Sequence, residues 1–486
     1  MNNMKLDMSL VWQCLFSPST IAVIGASNTR GSWGYSIMQG LLDTGKWRIY
    51  PINPKASEVF GIKAYRNVVD IPDSVDLAVI VIAAPLVPAV LTECASKAIK
   101  TAVIITAGFA EIGEQGQKLE AELVKIAAEK GIRFLGPNSL GHANTRLQLS
   151  TFGQKWEMPT GPVALLSQSG NMCLNIVRNG INSGIAFSKY ISTGNEANLL
   201  LEDYLEYLAE DDDTRVIAAY IEGLRDGRRF FRLAKEISSR KPIVVIKTGG
   251  TEESARAVRS HTGALAGSDA VYTAAFRQTG VIRVDDEEEL CDVVFALLNC
   301  PLPRGNRIAI LSMGGGPGAL TAEVCEKEGL TISQLDSSTV TKLDTYLPSR
   351  WSRRNPVDMA GISASEYPVV ANSLWALIED RNVDAIFLQA PIVATKDQLL
   401  HRMGLNSDEI KAYREKEKEN LRLLRQKMQE SGKPVVLVGQ IGGIKSDPEI
   451  SSLFNTEKIL AYSNARRAAK VMRHLAWYRQ YLNMVT

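Results

Sequence analysis

Three times along the chain a run of consecutive apolar residues leads into a loop of small residues and then into a helical pattern. The runs are Ile21-Ala22-Val23-Ile24 before Gly25-Ala26-Ser27, Val163-Ala164-Leu165-Leu166 before Ser167-Gln168-Ser169-Gly170, and Ile308-Ala309-Ile310-Leu311 before Ser312-Met313-Gly314-Gly315-Gly316. Each is followed by a second apolar run, at 77–83, 216–221 and 385–389, and by a further one introduced by Lys100, Lys241 or Lys433. Strands without polar alternation must be covered on both faces, and strands separated by amphipathic helices such as 114–130 and 409–429 pair in parallel. An α/β chain built on parallel sheets is therefore predicted. Right-handed crossovers would gather the small-residue loops at the carboxyl ends of the strands, where such sheets bind ligands. At roughly 150 residues per domain, 486 residues suggest divisions at 1–150, 151–300 and 301–486, the second marked by Cys300-Pro301-Leu302-Pro303-Arg304-Gly305.

Composition removes several functions. The net charge is +2, and no Lys/Arg block is interleaved with aromatics, so no nucleic-acid partner is expected. The cysteines at 14, 94, 173, 291, 300 and 325 form no CxxC, as expected of buried thiols in a reducing compartment. Residues 1–15 lack a signal-peptide core, and the most apolar run, 77–91, is short and broken by Pro85 and Pro88. A cytoplasmic protein without a membrane partner is expected.

Ser260-His261-Thr262-Gly263-Ala264-Leu265-Ala266-Gly267 sets one of the chain's four histidines among small residues. No cysteine or second histidine lies near enough in sequence for a zinc pair, so no metal site is expected. His261 can be a base, a nucleophile or a phosphate carrier, or an ordinary loop residue among glycines. In the first section, Gly25-Ala26-Ser27 opens a helix whose exposed amides suit phosphate. GxGxxG is not met, because Ser27 takes the second glycine position. After the next strand, Lys55 stands where a dinucleotide enzyme usually has a carboxylate. It suits a phosphorylated ribose, as in NADP or coenzyme A, or is a solvated turn residue. The loops Ala83-Ala84-Pro85 and Thr106-Ala107-Gly108-Phe109-Ala110-Glu111 are also shaped for a ligand, and Gly136-Pro137-Asn138-Ser139-Leu140-Gly141 closes the section. In the second, Ser169-Gly170-Asn171 at a helix start is an anion seat better than a hydrolase elbow, since GxSxG is absent. Glu222, following the strand 216–221, can hold one imidazole nitrogen of His261 or can simply begin a surface loop.

Together, IAVIGAS at 21–27, GSWG at 31–34, YPINPK at 50–55, DLAVIVI at 76–82, AVIITAGFAE at 102–111, GPNSLG at 136–141, LLSQSGN at 165–171, TGNEAN at 193–198, YIEG at 220–223, SHTGALAG at 260–267, GGGPGAL at 314–320 and NPVDM at 355–359 resemble the alpha subunit of the NDP-forming acyl-CoA synthetases. These are relatives of succinyl-CoA synthetase, and the ADP-forming acetyl-CoA synthetase branch matches best. The resemblance implies an N-terminal Rossmann-like CoA-binding domain followed by two flavodoxin-like parallel-sheet domains. It implies that His261 is the phosphohistidine, Glu222 its stabilising carboxylate, and Ser169, Gly170 and Asn171 the phosphate seat. Coenzyme A would lie against Gly25, Ala26, Ser27, Lys55, Ala84, Pro85, Thr106, Ala107, Gly108 and Asn138. ATP or ADP and Mg2+ would belong to a separate ATP-grasp beta subunit, in an alpha2beta2-type heterotetramer, because the section after 300 reads as a third parallel α/β unit. Arg30, Ser139 and His142 depart from the family's commoner proline, cysteine and aliphatic residue. His142 can contact substrate or be an ordinary loop histidine, and the glycines at 314–318 can seat phosphate or allow close strand–helix packing. The competing expectations are a non-catalytic CoA-binding regulatory protein and an NADP-dependent oxidoreductase, the latter leaving His261 unexplained.

Overall fold

The computed structural model describes residues 7–153, 158–256, 268–359, 367–389, 404, 406–439 and 448–485. His261 lies outside the described residues. Among them, no helix is long and apolar enough to cross a membrane. The chain divides into two compact units, Met1–Leu290 and Cys291–Thr486.

The first unit carries two sheets. One has five parallel strands in the order Arg48–Ile52, Thr20–Ile24, Leu77–Ile80, Thr101–Ile104, Arg133–Leu135. The chain starts at the second position, moves to the edge, then crosses back, so a crevice opens between the strands ending at Ile24 and Ile80. The other has the order Ile282–Val284, Ile243–Lys247, Val216–Ile221, Thr160–Ser167, Phe187–Ser192, with Gly141–Asn144 and Leu149–Ser150 added antiparallel at one edge. Its parallel part repeats the same order of strands, with its crevice between Ser167 and Ile221. Residues 141–150 thus extend the second sheet, although the sequence places them in the first section. They carry no apolar run, and their pairing partner, Phe187–Ser192, is remote in sequence.

Alternation along the first strand decides the core. Ala22 and Ile24 pack into one apolar cluster with Leu91 and Phe134, and Ile21 and Val23 into another. The second cluster continues through Val11, Leu15 and Phe16 to Ala164, Leu166 and Ile217 of the second sheet. The helix Met8–Phe16, capped by the Asp7 carboxylate on the Ser9 amide at 2.9 Å, is therefore part of the interior. The six cysteines are buried free thiols.

The second unit holds a third parallel sheet, ordered Thr331–Ile332, Arg307–Ser312, Ala385–Gln389, Val435–Val438, Ala461–Tyr462, with Val357–Asp358 also paired to Arg307–Ser312. The Arg307 guanidinium forks onto Asp384 at 2.9 Å, binding the base of two neighbouring strands. A side chain at Gly318 would come within 2.7 Å of the Ser312 hydroxyl oxygen, so close strand–helix packing accounts for this glycine.

Candidate functional site

The loop after the first strand is set by sterics. Gly25 has φ +93, and a Cβ there would stand 2.3 Å from the Val81 carbonyl oxygen. Gly34, in the first turn of the helix Trp33–Thr44, would place a Cβ 1.9 Å from the Gly25 carbonyl oxygen. Only glycine lets this helix approach the strand ends so closely. The Ser32 hydroxyl caps the helix by accepting the Tyr35 N–H at 3.2 Å. A cavity of about 650 Å³ opens here, at the crevice of the first sheet, and reaches the start of the helix Gly170–Asn182 in the second sheet.

Eight of the residues assigned in sequence to coenzyme A or phosphate line this cavity: Gly25, Ser27, Thr106, Ala107, Asn138, Ser169, Gly170 and Asn171. The cavity thus joins the loops proposed for a nucleotide-like ligand to the helix start proposed for an anion. Ser169 is that helix's cap, its hydroxyl accepting the Met172 N–H at 3.4 Å. Ala26 is buried beneath, and its carbonyl accepts the Asn53 amide at 2.9 Å. Asn53 also accepts the Lys55 backbone N–H at 2.9 Å, tying the Lys55 turn to the first loop. Lys55 is exposed and does not line the cavity. Ala84, Pro85 and Gly108 also lie off its walls, with Gly108 packed near Ala84.

Glu222 is buried, not a surface residue. Gln168, on the cavity wall, grips its peptide segment: the carboxamide oxygen accepts the Glu222 and Gly223 N–H groups at 2.6 and 3.0 Å, and the amide donates to the Gly223 carbonyl at 2.7 Å. Sequence reading gave Gln168 no role of its own. It also passed over Asn195, another cavity residue, whose amide donates to Glu111 at 2.6 Å and Glu120 at 2.8 Å. Burial pushes Glu111 up, but the Asn195 amide and the N–H groups of Gly108 and Phe109 more than offset this and hold it below the usual range. Glu120 stays raised because burial dominates there. Glu196 is buried, with Thr193 donating to it at 2.7 Å, and burial pushes it up to about 7. In sequence, Glu111, Gln168, Asn195 and Glu196 stand within the strings AVIITAGFAE, LLSQSGN and TGNEAN, which do not announce long-range partners.

His142 is a core residue. It is fully buried, with Nε2 2.6 Å from the Leu15 carbonyl oxygen and Nδ1 3.3 Å from the Thr151 hydroxyl. It does not line the cavity beside Gly25. No cluster of metal-ligating side chains occurs among the described residues.

Comparison with known proteins decides the family. Residues 19–145 match the CoA binding domain and residues 160–297 the succinyl-CoA ligase like flavodoxin domain. The chain is 39% identical to the alpha subunit of ADP-forming acetate–CoA ligase I from Pyrococcus furiosus, over 95% of this chain and 96% of that one. The chain belongs to the ADP-forming acetate–CoA ligase family. Another ligase of this family, ADP-forming acetate–CoA ligase I of Archaeoglobus fulgidus, is 44% identical over 76% of this chain, but the match spans only 54% of its length. The fold agrees with a solved dinucleotide-forming acetyl-coenzyme A synthetase 1 from Candidatus Korarchaeum cryptofilum, in complex with phosphate and ADP, at a TM-score of 0.82 and 33% identity, covering 98% of this chain and 99% of that one.

Proposed function

We propose that this ligase-family chain is the alpha subunit of an acyl-CoA synthetase that interconverts acyl-CoA, ADP and phosphate with acid, ATP and CoA. The observation that carries the reading is the single cavity that borders both the Gly25 loop and the Ser169 helix start, with Gln168 of its wall gripping Glu222. The first wall would take CoA, and Lys55 its ribose phosphate. The second would hold phosphate against the helix dipole. A phosphate oxygen attacks the thioester carbonyl, the C–S bond breaks, and CoA leaves as its thiolate. The acyl phosphate then gives its phosphoryl group to an imidazole nitrogen of His261, releasing the carboxylate. Glu222 offsets the charge on the imidazole as the N–P bond forms. Positioning and charge stabilisation supply most of the catalysis in such transfers. The phosphohistidine then phosphorylates ADP held with Mg2+ on a partner of ATP-grasp type. The three sections predicted from sequence fit these roles in turn, as CoA-binding, phosphohistidine-carrying and second flavodoxin-like domains, in a cytoplasmic heterotetramer.

Labelling tests this. With acetyl-CoA and labelled phosphate, the chain should gain an acid-labile, base-stable label. His261→Ala should abolish it while CoA binding persists. Glu222→Gln should slow it by about 10²–10⁴-fold, the range for a general acid–base contribution. Label on histidine in His261→Ala would refute the assignment.

A further inference from the structure

Lys247 ends the strand Ile243–Lys247, paired with Ile221 of the neighbouring strand. A strand end inside a parallel sheet is ordinarily aliphatic, because a buried ammonium loses its hydration. Here the side chain is buried, and its ammonium donates to the carbonyl of Glu222 at 2.9 Å and to that of Thr248. The charge lies 4.3 Å from the centre of the Tyr272 ring, whose hydroxyl accepts the Leu224 N–H at 3.3 Å. Glu222 is therefore held at its amide by Gln168 and at its carbonyl by Lys247.

We propose that Lys247 is a positioning residue for phosphoryl transfer: its ammonium fixes the Glu222 backbone and the strand exit at Thr248, so that the Glu222 carboxylate is presented in one orientation. The proposal rests on the roles given above to Glu222 and His261. Residues that orient a reacting group in this way act through geometry, not through contact with substrate. The charged and titratable groups around Lys247 are Glu222 at the end of the neighbouring strand, Arg283 on the strand Ile282–Val284, and Asp269 and Tyr272 on the helix Asp269–Thr279. Arg283 and Asp269 are paired at 2.6 Å. Burial pushes the ammonium down to about 8; Arg283 adds to the fall, and Asp269 and Glu222 oppose it. The charge-assisted grip is thus present at neutral pH and weakens as pH rises past 8, where the neutral amine donates less strongly.

The full chain is tested with acetyl-CoA and labelled inorganic phosphate, reading the rate of label on His261 and, by calorimetry, the affinity for CoA. Lys247→Met should slow labelling about 10–100-fold, the range for residues that orient a functional ligand. The KM for acetyl-CoA and the CoA affinity should not change, since Lys247 is off the cavity wall. Lys247→Arg should restore most of the rate and move the alkaline fall, centred near pH 8 in the wild type, to higher pH. A wild-type rate in Lys247→Met, or slowing that appears only as a raised KM, overturns the proposal. If Lys247→Met does not fold, an alkaline limb unmoved in Lys247→Arg overturns it instead. A labelled wild type with an indifferent Lys247→Met overturns this proposal alone, whereas a wild type that takes no label overturns the reading beneath it as well.

Discussion

Both ring nitrogens of His142 are engaged in the interior, and burial pushes its pKa down to about 4, against the Leu15 carbonyl, which favours the charged form. In the unfolded chain an imidazole takes its proton near 6.5. Between these values the unfolded state binds more protons than the folded one. Stability from neutral His142 is therefore whole above about 6.5 and lost as pH falls toward 4, by up to about 3 kcal/mol. His142→Gln should flatten the fall of unfolding free energy over that window in denaturant titrations. An unchanged slope would assign it to other groups. At Lys55 the prediction concerns the ligand. Lys55→Ala should weaken CoA by about 1–3 kcal/mol, the scale of one charge-assisted contact, and leave dephospho-CoA unaffected in calorimetry. Equal effects on both ligands would remove Lys55 from the ribose phosphate. Lys55 stood out in sequence because a cation replaces an expected carboxylate, but the structure leaves it exposed and off the cavity wall. The burial of His142 was not legible, because its partner Leu15 lies on a different element.

The helix Trp33–Thr44 is placed by what its first turn lacks. Gly34→Ala would drive a methyl group to 1.9 Å from the Gly25 carbonyl oxygen, and relief requires moving backbone, at about 1–3 kcal/mol for overpacking. The substitution should lower the melting temperature and weaken CoA binding together. A variant with wild-type values of both would show that the helix is free to shift. Sequence reading opened this helix at Gly25-Ala26-Ser27; the structure starts it later, at Trp33, because Ser32 supplies the capping hydroxyl. The helix Met8–Phe16 was not read as a structural element. Its polar and apolar residues excluded a signal core but did not say where it docks. Its place is settled by Leu15 and Phe16 entering the shared core, and by the Asn144 amide donating to the Phe16 carbonyl at 2.9 Å.

For the whole molecule, the proposed activity requires a partner. The purified chain should make no acyl-CoA from acid, ATP and CoA. Adding an ATP-grasp chain should restore turnover, measured as ADP-coupled thioester formation. Robust synthesis by this chain alone would show that the section after 300 had been misread. Sequence by itself determined that the chain forms parallel sheets, that their apolar strands begin near 21, 163 and 308, and that the residues following each strand collect at a carboxyl edge. These follow from local rules: an unbroken apolar run has to be buried on both faces, and a small-residue turn leads into a helix. Only the tertiary structure decided that the Gly25 loop and the Ser169 helix start border one cavity, that Gln168 and Lys247 hold Glu222 between them, that residues 141–150 join the second sheet, and that His142 is core. Each of these depends on side chains remote in sequence reaching hydrogen-bonding or van der Waals distance, which is fixed by how the sheets and helices pack and leaves no periodicity in the chain.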